Sequence, residues 1–220
     1  FNVMPFGLKN APSDFQRLME IVLKGINWQF GLVYIDDIIV YSSTFEDHLN
    51  HLDKIFEALE NAGLKLKPKK CLFLREQVNF LGHEITKDGI KPDKSKIADL
   101  ETFPLPDNKK KLQKFLGLVQ WFRRFIPKLA ETAASLYELL RNNVDWDMNS
   151  ERIVAFEKLR KSFISAPIVR FPIFAPDCSF IIQADASNVA LGAVLMQERQ
   201  NDRWVIAYAC RQLNEAEKNY

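Results

Sequence analysis

The stretch that most constrains this chain is Gly31-Leu-Val-Tyr-Ile-Asp-Asp-Ile-Ile-Val-Tyr41, where two adjacent carboxylates, Asp36 and Asp37, separate two apolar, β-branched runs. Each run reads as a buried strand, and the short polar step between them as a tight hairpin. Side chains alternate faces along a straight strand, but a turn bends the backbone, so both carboxylates can face one small volume. Like charges held there repel one another and are poorly hydrated unless cations sit between them. Oxygen-only ligands of this kind suit magnesium or manganese, the ions of in-line phosphoryl chemistry. Aspartate is also a common turn residue, and on this stretch alone the two readings weigh equally.

Hydrophobic residues make up 47% of the 220 and charged ones 26%, enough apolar side chain for one large domain or two to three small ones. The net charge of +2 argues for no particular partner, so any nucleic-acid signal has to come from clustering. Cys71, Cys178 and Cys210 are too few and too scattered for a disulfide framework or a zinc knuckle, and reducing surroundings are expected. No apolar run approaches the ~18 residues of a membrane span, and no signal peptide is read at the start. The chain opens on Phe1, without an initiator Met, and stops at Tyr220 inside an apparent helix start. It reads as a fragment of something longer.

Residues 3–10 form a Pro/Gly-punctuated loop, and Pro12 suits the first turn of a helix carrying Phe15, Leu18, Met19, Val22 and Ile26 on one face. After the aspartate hairpin, Ser43-x-x-Glu46 is a capping-box pattern. It opens a helix with Leu49, Leu52, Phe56 and Leu59 inward, closed by Gly63. His48 and His51 lie one turn apart on it, without a third metal ligand nearby, and read as a solvated face. Residues 64–70 alternate as an extended segment with Lys65, Lys67 and Lys69 on one side. Val78 to Ile85 and Gly89-Ile90 form a second hairpin about Lys87-Asp88-Gly89. Up to here the pattern is α+β, with helices layered on one sheet face.

From Lys91 the chain turns helical. A short helix starts at Pro92-Asp93 and breaks at Phe103-Pro-Leu-Pro106. A longer one turns Leu112, Phe115, Leu116, Val119 and Phe122 inward, and a further helix with Leu129, Ala133, Leu136 and Leu140 follows Pro127. Lys109, Lys110, Lys111 and Lys114 crowd the start of the longer helix, where the macrodipole disfavours them, with Arg123 and Arg124 at its end. Asn149 or Ser150 caps the next helix (Ile153, Phe156, Leu159, Phe163), and strands follow at Ser179 to Asp185, Val189 to Gln197 and Arg203 to Ala209. Asp185, closing a strand, is by itself more simply a turn former than a metal ligand.

Five of these segments, in this order, resemble the Pol polyprotein of Gypsy-type LTR retrotransposons. They are Met4-Pro-Phe-Gly-Leu-Lys-Asn-Ala-Pro12 with Phe15-Gln16, Tyr34-Ile-Asp-Asp37, Phe80-Leu-Gly-His83 with Gly89-Ile-Lys-Pro92, Phe115-Leu-Gly-Leu118 with Arg123-Arg-Phe-Ile126, and Ala184-Asp-Ala-Ser187 with Gly192-Ala-Val-Leu195 and Gln197. Trp121-Phe122 stands where the family more usually has paired tyrosines.

The resemblance implies a reverse-transcriptase palm, an antiparallel sheet with helices on one face, over residues 1–90. A helical thumb over 91–143 follows, then a connection and the β-rich start of a ribonuclease H-like domain over 144–220. It further implies an RNA-directed DNA polymerase, a nucleotidyltransferase with a fused ribonuclease H endonuclease, serving retrotransposon replication and DNA integration. Asp36 and Asp37 would be palm acids binding two Mg2+ (or Mn2+) ions ~3.5–4 Å apart, and Asp185 the first ribonuclease H carboxylate. Pro5, Phe6, Gly7 and Tyr34 would flank the incoming nucleotide; retroviral relatives carry Gln where Phe6 stands. Leu81, Gly82 and His83 would form the primer grip, and Lys69 or Lys70 would be the proton donor to pyrophosphate. Lys109, Lys110, Lys111, Lys114, Arg123 and Arg124 would track the nucleic-acid backbone. Partners would be RNA template, DNA primer, RNA–DNA hybrid and deoxynucleoside triphosphates, with no membrane. The setting would be intracellular, in a cytoplasmic virus-like particle or the nucleus.

The family's first palm aspartate lies upstream of Phe1 and its remaining ribonuclease H acids beyond Tyr220, so the fragment by itself is expected to be inactive. Glu215 and Glu217 read as a helix first turn near Asn214, not as substitutes for those acids. The alternative is a host-retained, non-catalytic nucleic-acid-binding or interaction protein built on the same fold.

Overall fold

The computed structural model describes residues 3–5 and 7–219; Phe1, Asn2, Phe6 and Tyr220 lie outside the described residues. The chain divides into two compact units, residues 1–75 and 76–220.

The first unit runs α1 (Ala11–Val22), β1 (Gly31–Tyr34), β2 (Asp37–Val40) and α2 (Phe45–Asn61). Pro12 stands in the first turn of α1, where its missing N–H leaves no bond unmade. Met19, Leu23, Val33, Ile55 and Leu59 form the core, so both helices pack on the hairpin. Strands β1 and β2 pair antiparallel from Gly31↔Val40 to Tyr34↔Asp37. Three local expectations shift by a residue or two. The cap of α2 is Thr44, not Ser43; its hydroxyl accepts from the Asp47 N–H at 3.1 Å and donates to the Asp47 carboxylate at 2.8 Å. Burial on α2 falls on Ile55 and Leu59, while Leu49 and Phe56 are exposed. Extension after α2 stops at Lys67, because Pro68–Lys70 is a 3-10 turn, which takes Lys69 out of the alternation. Gly63 does close α2: its N–H and that of Leu64 reach back to the Glu60 and Leu59 carbonyls.

In the second unit, β3 (Gln77–Phe80), β4 (His83–Thr86) and β5 (Gly89–Pro92) form an antiparallel meander. The run from Val78 to Ile85 is therefore not continuous. Leu81 and Gly82 both take positive φ, 51° and 75°, and make a two-residue turn of the kind that matches strand twist. Helices α3 (Lys94–Glu101), α4 (Lys109–Trp121), α5 (Leu129–Thr132), α6 (Ala134–Leu139) and α7 (Ser150–Ile164) follow, capped by Asp93, Asn108 and Asn149 at α3, α4 and α7. What reads as one helix after Pro127 is two short ones, and Leu139, not Leu140, is fully buried.

Phe115, Phe122, Phe125, Phe156 and Phe163 are at most 1% exposed. They pack ring on ring, Phe115 to Phe156 at 4.5 Å and Phe122 to Phe163 at 5.0 Å. Burying each contributes about 2 kcal/mol. The same core takes in Val205 and Cys210 from the last sheet, β6 (Ser179–Ala186), β7 (Ala190–Arg199) and β8 (Asp202–Gln212), which is antiparallel in chain order. Gln197 is wholly buried and satisfied, its amide exchanging two hydrogen bonds with the Ile173 backbone at 2.6 and 2.8 Å. Among the described residues no helix is long and apolar enough to cross a membrane.

Candidate active site

Ile35 and Asp36 are the two turn residues of the β1–β2 hairpin. Ile35 has φ 54° while Asp36 does not share a positive φ, so the first turn position carries the left-handed backbone that glycine normally supplies. A β-branched residue in that region is strained by about 1–3 kcal/mol and persists only where neighbours over-determine it. The neighbour here is Gln16 of α1, whose Oε1 accepts the Ile35 N–H at 2.6 Å while its Nε2 donates to the Val33 carbonyl at 3.3 Å and to Glu20 at 2.9 Å. Sequence reasoning places Gln16 in a motif without a role. The available signal was a polar side chain on the inward stripe between Phe15 and Met19.

Asp36 and Asp37 are exposed at the hairpin tip, beside the half-exposed Tyr34. Among the described residues neither carboxylate has an ion pair or a hydrogen-bond donor, and no group of three or more His, Cys, Asp or Glu gathers to hold a metal. Two hard oxygen donors free of a competing cation fit Mg2+ or Mn2+, which commonly bind through one or two carboxylates and complete the shell with water and substrate phosphates.

Of the other residues expected in the first unit, Pro5 is half-buried and Gly7 exposed in the loop before α1, and Phe6 lies outside the described residues. Lys69 and Lys70 are both exposed in their 3-10 turn. His48 and His51 are not a solvated face: both Nδ1 atoms converge on the Ser42 hydroxyl, at 3.1 and 2.7 Å, and the His51 ring stacks on Phe30 at 3.8 Å.

In the second unit, Leu81 and Gly82 form the β3–β4 turn and His83 opens β4, all three half-buried. His83 packs on Phe122 and Phe125 at 5.1 and 5.6 Å and donates Nδ1–H to the Leu81 carbonyl at 2.9 Å. Burial lowers its pKa below 6.5, and the positive charge of Arg124 pushes the same way. The basic cluster divides. Lys109 extends its ammonium to the Arg141 and Val144 carbonyls at 2.7 and 2.6 Å, and Lys111 pairs with Asp107 at 2.6 Å. Lys110, Lys114 and Arg123 are exposed and, among the described residues, without such partners; Arg124 lies along the Phe125 ring.

Asp185 sits on β6 opposite Gly192, exposed on the wall of a cavity of about 260 Å³ shared with Lys128, Glu131, Tyr208 and Cys210. Glu217 is committed elsewhere. It takes a bidentate contact from Arg211 at 2.8 Å and trades backbone and side-chain bonds with Asn214, as a helix first turn should, and its pKa drops to about 2. Glu215 is paired with Arg141 and Lys218.

Residues 1–85 match the family described as reverse transcriptase (RNA-dependent DNA polymerase), and residues 148–220 the RNase H-like domain found in reverse transcriptase. The chain is 42% identical over 218 residues to the retrovirus-related Pol polyprotein from transposon 297 of Drosophila melanogaster, covering 99% of this chain and 20% of that protein. It is 32% identical over 219 residues to the transposon Tf2-3 polyprotein of Schizosaccharomyces pombe, covering 99% and 16%. It thus spans about a fifth of the length of the curated relatives it matches. Among solved structures, the foamy viral protease-reverse transcriptase in complex with RNA/DNA hybrid superposes with TM-score 0.78 at 27% identity, over 98% of this chain and 29% of that one. A second structure of that protein, with dsDNA, gives 0.79 at 28%, over 99% and 45%. The chain belongs to the Pol polyprotein family of Gypsy-type retrotransposons, joining a reverse-transcriptase segment to an RNase H-like one.

Proposed function

We propose that these 220 residues are part of an RNA-directed DNA polymerase with a fused ribonuclease H, and that Asp36 and Asp37 are its nucleotidyl-transfer acids. The observation that carries this is the exposed carboxylate pair, partner-free among the described residues, on a strained, braced hairpin. Glu217, by contrast, is committed to Arg211 and Asn214. Asp36 and Asp37 would hold Mg2+ or Mn2+, which when bound stabilises charge on the attacking 3′-oxygen and the leaving pyrophosphate. Tyr34, on the same hairpin end, would pack against the incoming deoxynucleoside triphosphate, with the Pro5–Gly7 loop beside it and Lys69 or Lys70 supplying a proton. Primer, template and hybrid would lie along Lys110, Lys114 and Arg123, whose charges have no internal partner among the described residues. Asp185 would supply one carboxylate for RNA cleavage. In this division residues 1–90 serve as palm, 91–143 as thumb and 144–220 as connection and ribonuclease H segment.

The test is Asp36→Asn and Asp37→Asn in a complete Pol polyprotein containing these residues. Primer extension in Mg2+ or Mn2+ should fall at least ~10²-fold, because transition-state charge loses its counter-ion, while primer–template affinity, set by backbone contacts, stays within about twofold. Wild-type extension by either variant would overturn the assignment. Residues 1–220 alone should show no template-dependent synthesis above background, since two solvated carboxylates hold a pair of ions weakly.

A further inference from the structure

We propose that Gln16 is a positioning residue for the Asp36–Asp37 turn, its side-chain amide bonding the backbone of the hairpin on the side of β1 away from β2. The catalytic part of this inference rests on the polymerase reading; the conformational part does not. In the hairpin, Tyr34 pairs with Asp37, so the Val33 carbonyl and the Ile35 N–H point away from β2. The Gln16 amide meets both, Nε2–H to the Val33 carbonyl and Oε1 to the Ile35 N–H. A residue of an adjacent strand would make the same pair of contacts.

Its orientation is unambiguous. Turned over, Oε1 would face the Val33 carbonyl and the Glu20 carboxylate, and Nε2 would face the Ile35 N–H, so acceptor would meet acceptor and donor would meet donor. The helix frame gives the amide its leverage, because Met19 and Leu23, three and seven residues on, anchor α1 in the core. Bonded at the strained residue, the amide selects the left-handed Ile35 backbone against relaxed alternatives. Asp36 is the very next residue, so where its carboxylate points follows from that choice.

Two measurements test this. In residues 1–220, hydrogen exchange of the Ile35 amide by NMR should be protected, and Gln16→Leu should accelerate it roughly tenfold, as expected for one lost hydrogen bond. Gln16→Glu, which keeps the acceptor but loses the donor, should fall between. In a complete polyprotein, active-site-titrated primer extension should lose kcat in Gln16→Leu with little change in KM for the nucleotide. Adding Ile35→Gly, which tolerates positive φ without a brace, should restore most of that kcat. A merely structural Gln16 predicts fewer folded molecules, an unchanged kcat per active site and no rescue. Unchanged exchange overturns the proposal, and so does altered exchange with unchanged kcat while Asp36→Asn abolishes extension. Should Asp36→Asn itself retain extension, the polymerase reading fails, and the exchange arm alone still decides whether Gln16 sets the turn.

Discussion

Lys109 sits where a cation should cost stability, in the first turn of α4, yet its ammonium lies 2.7 and 2.6 Å from the Arg141 and Val144 carbonyls just past the end of α6. One charge is thus unfavourable to the helix it belongs to and favourable to two carbonyls of the segment that follows another. Lys109→Met keeps the apolar stem and removes the charge. Buried charge-assisted bonds contribute about 1.5–3 kcal/mol each, but Lys109 is only half-buried and its carbonyl partners can turn to water. About 1–2 kcal/mol for the pair is reasonable, less about 0.5 kcal/mol recovered from the α4 dipole. The net expectation is about 1 kcal/mol of destabilisation, or roughly 2–5 °C in Tm for a unit of this size. Urea and thermal unfolding followed by tryptophan fluorescence measure it, with Trp146, packed on the same core, as a local reporter. Lys110→Met, at an exposed side chain, should change stability by less than about 0.5 kcal/mol. The same variants titrated against an RNA–DNA hybrid should divide the opposite way: Lys110→Met lowers the salt slope by ~0.9, Lys109→Met leaves it alone. A Lys109→Met protein of wild-type stability with a flattened slope would refute the tether and return Lys109 to the phosphate backbone.

Three further outcomes are expected. Glu217, held near pKa 2 by Arg211 against 4.5 in the unfolded chain, contributes stability in full above pH 4.5 that is lost as pH falls toward 2; Arg211→Gln should remove that acid-side slope in unfolding titrations. His83, its folded pKa below 6.5, favours the neutral ring in the fold, so stability should decline as pH drops below 6.5; Arg124→Gln should raise its pKa in an NMR titration. Gly89→Ala should cost about 2 kcal/mol or more by denaturant unfolding, because its φ is 141° and a Cβ would stand 2.3 Å from the Val169 carbonyl across the Ile90–Val169 bridge.

Local pattern carried the fold where the chain decides locally. The inward stripe of α4, the β-branched runs of β1 and β2, the Gly63 stop and the Asn149 cap all follow from neighbours within a turn or two. The misses share one cause. Leu81 is no turn former by type, and only the pairing of Phe80 with His83 forces it into a left-handed turn. Ser43 and Thr44 offer the same hydroxyl one residue apart, and pattern alone does not choose between them. The histidines of α2 look solvated until Phe30, 21 residues upstream of His51, is folded against the ring.

For the site, the same division explains which residues could be read. Asp36, Asp37, Asp185 and Glu217 are all acids near chain reversals, and composition cannot separate them. What separates them is whether a cation comes to meet them, which depends on residues far away or on none. Arg211 reaches Glu217 because β8 delivers it six residues earlier, whereas no Lys or Arg meets the hairpin tip among the described residues. The crowded lysines show the converse. The dipole conflict at α4 singles out crowded lysines, but it could not tell a phosphate ligand from a tether, because the carbonyls that Lys109 reaches lie 32 and 35 residues downstream. Gln16 is the sharpest case: one polar side chain interrupts an apolar stripe, and its meaning appears only when the turn 19 residues on is set against it. A polar residue on a buried face has to find partners, so such an interruption marks a contact without naming it. The fold supplies the other half, and here it points to the strained residue next to the acids.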